Sequence, residues 1–243
     1  MVILPAIDIK NGECVRLYKG EMATAEKVAD NFMDTAHAFK AAGAQWIHMV
    51  DLDGAISGAR VNSPIFLQVA KESGLAVELG GGIRSMADIR YYLENGISRV
   101  VIGSAALKNP ALVKQAVQEY GEKIAVGIDA RNGKATSEGW VSQSEVDFIT
   151  LAQEMANSGV RYIIYTDIDR DGMLSGPNLA QLCELSVRVD CSIIASGGIV
   201  DVGDIRAIRE AGLYGAICGR SIYAGTLRLT DALAEAALEG NER

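Results

Sequence analysis

Asp8 and Asp129 are the residues of this chain best suited to acid-base chemistry. Each closes a short apolar run, Ile7-Asp8 and Ile128-Asp129, and each is followed by an Asn-Gly pair, Asn11-Gly12 and Asn132-Gly133, at a common displacement of 121 residues. Two carboxylates flanking one sugar-like centre can divide the work. One takes a proton, and the other, kept protonated by its surroundings, gives one. The alternative for an Asp in such a place is a turn, where it accepts backbone N–H groups. That reading fits Asp51 and Asp167 at least as well.

Glycines form the second set. Gly81-Gly82-Ile83 followed by Asp88-Ile89-Arg90 recurs as Gly197-Gly198-Ile199 followed by Asp204-Ile205-Arg206, displaced by 116 residues, and the same displacement relates Gly103 to Gly219. A missing Cβ lets a phosphate approach the backbone, while successive N–H groups and the start of the next helix turn positive density toward it. Tight turns alone would account for any one of these glycines. Their paired recurrence points instead to two anion sites, joined by the hydroxyl of Ser104 on one side and the guanidinium of Arg220 on the other, although Arg220 could equally be a solvated charge. A ligand with a phosphate at each end would satisfy both.

These residues need a scaffold that brings them together. Eight short apolar runs recur, Val2 to Ile7, Trp46 to Val50, Leu75 to Leu79, Val100 to Ile102, Ile124 to Ile128, Tyr162 to Tyr165, Ser192 to Ala195 and Gly215 to Cys218. Between most of them lies a helically periodic stretch that stops on glycine, at Gly43, Gly74, Gly96, Gly121, Gly159 and Gly212, with Ser85, Asn109-Pro110 and Asp201 as helix starts. Continuous rather than alternating apolar strands imply burial on both faces, as in a parallel sheet covered by helices. The expected fold is a (β/α)8 TIM barrel forming one domain over residues 1–243, with half-barrels near 1–121 and 122–243. An open doubly wound sheet is the alternative, but it would not explain the two-fold repeat, and no GxGxxG loop is present. In a barrel the carboxyl ends of strands gather the chemistry. Strands 1, 2, 5 and 6 end in Asp8, Asp51, Asp129 and Asp167, and the other four end in glycine.

The formal charge of −8 disfavours nucleic acid or an anionic membrane as partner. Four cysteines without CxxC spacing read as buried small apolar groups in a reducing compartment. The opening Met1-Val2-Ile3-Leu4-Pro5 carries no basic stretch, so a cytoplasmic chain that does not enter a membrane is expected. No lysine stands at a strand end where a Schiff base would need it. His48, inside the second strand, points either into the barrel mouth or into a hydrogen-bonded core position. Trp140, after a polar stretch from Arg131 to Gly139, closes over a flat ring or anchors the surface.

Four motifs carry a family resemblance: Pro5-Ala6-Ile7-Asp8-Ile9-Lys10-Asn11-Gly12, His48-Met49-Val50-Asp51-Leu52-Asp53-Gly54-Ala55, Gly80-Gly81-Gly82-Ile83-Arg84 and Thr166-Asp167-Ile168-Asp169-Arg170-Asp171-Gly172. Over essentially its full length the chain resembles the HisA family, the phosphoribosylformimino aminoimidazole carboxamide ribotide isomerases of the histidine pathway. The resemblance implies an Amadori rearrangement of an N-linked aminoaldose phosphate to its aminoketose, without metal or organic cofactor, on a substrate bearing two phosphates. It implies Asp8 as proton acceptor, Asp129 as proton donor, Thr166 as an assisting hydroxyl, and Asp171 as a second carboxylate able to share the donor role. It also implies that Arg16, His48, Arg84, Ser104, Trp140, Gly176, Gly198, Gly219 and Arg220 surround the substrate, beside Gly81, Gly82, Gly103 and Gly197 from the glycine pattern. Met173 stands where many relatives carry threonine, which removes one loop hydroxyl. The competing readings are the sister cyclase of the pathway, a dual-substrate isomerase that also takes phosphoribosyl anthranilate, and a catalytically silent phosphate-binding barrel. A monomer is the default.

Overall fold

The structure, a computed structural model, describes residues 1–137 and 142–238. Eight parallel strands close into a ring in the order β1 (Val2–Lys10), β4 (Trp46–Asp51), β5 (Ala76–Gly80), β6 (Arg99–Ile102), β7 (Ile124–Arg131), β10 (Tyr162–Asp167), β11 (Ser192–Ser196) and β12 (Gly215–Cys218). β12 returns to β1 through the pairs Val2↔Gly215 to Pro5↔Cys218, so the eight-stranded wall has no free edge. Around it run α1 (Phe32–Ala41), α2 (Leu52–Ser57), α3 (Ser63–Glu72), α4 (Met86–Glu94), α5 (Ser104–Lys108), α6 (Pro110–Tyr120), α7 (Phe148–Asn157), α8 (Leu179–Arg188), α9 (Val202–Glu210), α10 (Arg220–Tyr223) and α11 (Leu229–Ala237). This is the (β/α)8 barrel expected from the strand pattern. Among the described residues, no helix is long and apolar enough to cross a membrane.

Local signals in the sequence set the helix ends. The side chains of Ser85, Asn109 and Asp201 accept backbone N–H groups from the first turns of α4, α6 and α9, which satisfies donors that a helix start leaves open. Gly43, Gly74, Gly96, Gly121, Gly159 and Gly212 all have positive φ at or just beyond helix ends. Apolar burial then holds the helices to the wall: Phe66, Ile89, Tyr92 and Ile208 are fully enclosed against the outer face of the strands. A smaller cluster, Leu4, Ala6, Val101, Ala125, Ile164, Ile194 and Ile217, fills the interior of the ring. Each Leu, Ile or Val side chain among these contributes roughly 1.5–3 kcal/mol on full burial.

Two features differ from the sequence reading. The segments after the first and fifth barrel strands are hairpins rather than loops: β1 continues past Asp8 into β2 (Glu13–Tyr18) and β3 (Glu21–Ala29), and β7 continues past Asp129 into β8 (Lys134–Ser137) and β9 (Ser142–Asp147). Their first turns are the two Asn-Gly pairs, with φ of 51° and 79° at Asn11 and Gly12 and 51° and 74° at Asn132 and Gly133, the backbone that a two-residue hairpin requires. The cysteines also divide: Cys14 and Cys218 are buried as expected, Cys191 is half-buried, and Cys183 is exposed, because α8 turns that position outward.

The repeat has a physical counterpart in two Asp-Asn clamps. The fully buried carboxylate of Asp51 accepts N–H groups from Gly54 at 2.9 Å and Asn62 at 3.1 Å, and the Asn62 side-chain amide at 2.8 Å. Asp167 accepts the side-chain amide of Asn178 at 2.7 Å and the backbone N–H of Asp169 at 3.0 Å. Both carboxylates thus tie a strand end to the following helix. Removing the Asn62 amide leaves a buried carboxylate short of a donor, so Asn62→Ala should lower stability by about 1.5–3 kcal/mol. Urea unfolding checks this: the midpoint should fall with an unchanged slope, and a midpoint equal to that of the unaltered protein defeats the assignment.

Candidate active site

A cavity of about 250 Å³ opens at the carboxyl ends of the barrel strands, where this architecture gathers its functional side chains. Asp8 on β1 and Asp129 on β7 line it from strands on opposite sides of the ring, and Asp171, from the turn that follows β10, joins them. The turn is held by N–H bonds from Asp171 to the carbonyls of Asp167 at 3.0 Å and Ile168 at 3.2 Å. Its far side meets the β2–β3 hairpin, where Lys19 N–H donates to the Asp171 carbonyl at 3.3 Å. Thr166 pairs in register with Asp129 across β10 and β7, which sets its side chain beside that carboxylate in the cavity wall.

Charge is distributed unevenly among the three carboxylates. Arg16, carried in by β2, donates from Nη1 to Asp8 Oδ2 at 2.6 Å and from Nη2 to the Ala6 carbonyl, and its guanidinium lies 5.1 Å from the centre of the Tyr223 ring. Burial works against the Arg16 charge, but Asp8, Tyr223 and Asp171 outweigh it and raise its pKa further. Asp171 borders the open cavity and so keeps some accessible surface, yet its carboxyl is packed round by protein. Burial, with the charges of Asp8 and Asp129, pushes its pKa up to about 7 against the opposing pull of Arg16 and the Gly172 N–H. One of three similar side chains is therefore poised to hold a proton near neutrality.

The glycine pairs flank these acids. On one side stand Gly81, Gly82, Arg84, Gly103 and Ser104, and on the other Gly197, Gly198, Gly219 and Arg220, all in the cavity wall. The glycines do not share one cause. A Cβ on Gly81 would collide with the Asp51 carbonyl, on Gly82 with the Gly54 carbonyl and on Gly198 with the Gly176 carbonyl, so close backbone packing dictates those three. At Gly103 a Cβ would meet nothing within 4 Å. There the side-chain space is left open beside the cavity. Arg84 donates to the Ala55 carbonyl at 2.7 Å and Arg220 to the Gly172 carbonyl; each anchors one edge of its guanidinium in a loop while lining the cavity.

His48 lines the cavity and also hydrogen-bonds inside the barrel, its Nδ1 lying 2.7 Å from Glu78 Oε1, so both readings of this residue meet in one position. Gly176 is not in the wall; it stands behind Gly198, to whose carbonyl its N–H donates at 2.9 Å. Trp140 lies outside the described residues. Asp51 and Asp167 end their strands beside the acids but turn away into the clamps. The sequence reading missed Leu17, Gly20 and Met22, which complete one wall from the β2–β3 hairpin; the Asn11-Gly12 turn was the signal for it.

The chain matches the family described as Histidine biosynthesis protein over residues 2–228. It is 48% identical over 233 residues to a protein of Clostridium novyi, covering 96% of this chain and 98% of that one. It is 49% identical to a protein of Clostridium kluyveri with the same coverage, and 48% identical to one of Clostridium botulinum, covering 96% of each. All three relatives are named 1-(5-phosphoribosyl)-5-((5-phosphoribosylamino)methylideneamino) imidazole-4-carboxamide isomerase.

The raised carboxyl of Asp171 has a consequence for stability. The folded state holds a proton there up to about pH 7, whereas an unfolded Asp releases it near ~3.9. Folded protein therefore binds more protons across that window, and stability falls as pH rises from about 4 through 7. Asp171→Asn removes this loss: its melting temperature should exceed that of the unaltered protein at pH 8 and converge with it at pH 4. For a domain of this size each kcal/mol is about 2–4 °C. An equal difference at both pH values would show that Asp171 does not carry the proton.

Proposed function

The chain belongs to the histidine biosynthesis protein family, and we propose that it catalyses the isomerisation for which its relatives are named, converting the aminoaldose ProFAR to the aminoketose PRFAR. An aldose-to-ketose shift moves protons without net oxidation, so a base and an acid on either side of the sugar suffice. The observation that carries this reading is the difference between two like side chains in one cavity. Asp8 is paired with the Arg16 guanidinium at 2.6 Å, and the carboxyl pKa of Asp171 is pushed up to about 7. One carboxyl is paired with a cation and the other is poised to hold a proton near neutrality, the kind of division that acid-base catalysis at neutral pH needs.

In this mechanism the substrate lies across the barrel mouth with one phosphate at Gly81, Gly82, Gly103 and Ser104, and the other at Gly197, Gly198, Gly219 and Arg220. Its aminoaldose centre then falls between β1 and β7. Asp129, with Asp171 sharing the role, gives a proton to the furanose ring oxygen as the C1–O bond breaks, and the nitrogen lone pair closes the iminium. Asp8 takes the proton from C2, and the C–H electrons form the enolamine. Ketonisation protonates C1 and leaves the carbonyl at C2. The Thr166 hydroxyl steadies the acid, and Arg16 holds the base in place between turnovers.

Asp8→Asn and Asp129→Asn should each lower kcat by about 10²- to 10⁴-fold while the fold and binding of the bis-phosphorylated substrate persist. Turnover of the aminoaldose, followed by the absorbance change on conversion, is the assay, and rates near those of the unaltered enzyme in both variants would defeat the assignment. A donor that must be protonated also sets a direction with pH: kcat should fall as pH rises through about 7, and Asp171→Asn should remove that limb.

A further inference from the structure

Beneath His48 lies a line of buried charge that the reaction steps above do not use. Ala6, His48, Glu78 and Arg99 are successive register partners on β1, β4, β5 and β6. Strands of such a barrel tilt by about 36°, so a row of hydrogen-bonded neighbours descends from the mouth into the interior. His48 is at the cavity; Glu78 is fully enclosed, and Arg99 is buried. Glu78 uses both oxygens, Oε1 at 2.7 Å from His48 Nδ1 and Oε2 accepting from Arg99 Nε at 2.6 Å. The Arg99 guanidinium packs against Trp46, at 4.5 Å from its ring centre, and Tyr162, at 4.2 Å, and among the described residues its Nη2 is buried without a hydrogen-bond partner.

Stability does not explain this arrangement. Apolar side chains of the same volume would hold the interior at least as well as a desolvated ion pair, and Val101, Ala125 and Ile164 fill the neighbouring positions in that way. What the ion pair does is define a proton. Burial opposes ionisation of Glu78, but the contacts from His48 and Arg99 outweigh it and hold the carboxyl below its ordinary range. An ionised carboxylate has no hydrogen to give, so the shared hydrogen must sit on Nδ1 of the imidazole, and in the neutral ring Nε2 is then an acceptor. The structure gives His48 no second hydrogen bond among the described residues.

We propose that Glu78 and Arg99 are positioning residues that lock His48 in its Nδ1–H tautomer, so that Nε2 accepts a hydrogen bond from an N–H or O–H group of the ligand in the cavity. Arg99 keeps Glu78 ionised and fixes its second oxygen, and the two aromatic rings fix Arg99; the tautomer is thus set from the barrel interior rather than by solvent. The assignment of the donor to the sugar phosphate substrate rests on the function proposed above; the tautomer does not.

The test separates the two. The sequence has two histidines, and His37 is exposed on α1, so ¹⁵N-imidazole NMR of the full chain reads His48 against an internal solvent-exposed reference. His48 should show a protonated Nδ1 and an unprotonated Nε2 without any ligand, while His37 averages between tautomers. An averaged or Nε2-protonated His48 overturns the proposal whatever the activity. Glu78→Gln, whose amide can donate or accept, should abolish the single tautomer and lower kcat/KM about 10-fold or more, by analogy with the loss when the partner that orients a metal-bound histidine is removed, with most of the change in KM. If a lone Arg99 destabilises that variant, Glu78→Gln with Arg99→Met removes both charges and should show the same KM effect. Folded variants with an unchanged KM overturn the positioning role while leaving the chemistry of Asp8 and Asp129 intact.

Discussion

Three carboxylates in one cavity cannot all be ionised at low cost, and this constraint organises the site. Like charges at short range in a partly desolvated space repel strongly enough that one group retains its proton unless cations intervene. Arg16 intervenes at Asp8, and the remaining imbalance falls on Asp171, whose enclosure already opposes ionisation. The division between acid and base in the proposed mechanism is thus a property of the cluster rather than of any single aspartate. The clustering itself follows from barrel closure, which forces β1, β7 and β10 to aim their carboxyl ends at one mouth.

The two-fold repeat supplies the frame, and a departure from it supplies the polarity. The Asp51–Asn62 and Asp167–Asn178 clamps, the Asn-Gly hairpin turns and the paired glycines recur in both halves. Arg16 does not: at the displacement that carries Asp8 to Asp129, it falls on Ser137. A symmetric pair of aspartates could not tell acid from base. The guanidinium on one hairpin and the Asp171 turn abutting that same hairpin through Lys19 make the two sides chemically distinct.

Much of this was legible in the residues. The apolar runs gave all eight barrel strands to within a few residues at each end, because strands buried on both faces leave an unbroken hydrophobic signature. The glycine stops and polar caps marked helix ends because those signals are local. The hairpins were not read from β-propensity, since β3, Glu-Met-Ala-Thr-Ala-Glu-Lys-Val-Ala, is mostly exposed and lacks a hydrophobic alternation; only the Asn-Gly turns announced them. The proton held by Asp171 was out of reach for a different reason. A pKa depends on which charges surround a group and how much water is excluded, and those neighbours come from β1, β2 and β7, far away in sequence. Glu78 was visible only as a charged residue inside an apolar run, Ala-Val-Glu-Leu-Gly, and Arg99 as one at the edge of another.

The glycines show how far a motif can be pushed without geometry. Read as letters, Gly81, Gly82, Gly103 and their repeats form one phosphate-binding pattern. In space Gly81, Gly82 and Gly198 are required by neighbouring carbonyls that a Cβ would strike, and Gly103 is the position whose missing side chain opens onto the cavity. The first group shapes the loops, and the second leaves room for what the loops enclose. A substitution at Gly81 would therefore be felt first as backbone strain, whereas one at Gly103 would place new atoms in the open space of the cavity. Both kinds of constraint yield the same residue, so the recurrence of glycine in both halves does not by itself say which of the two causes acts at a given position.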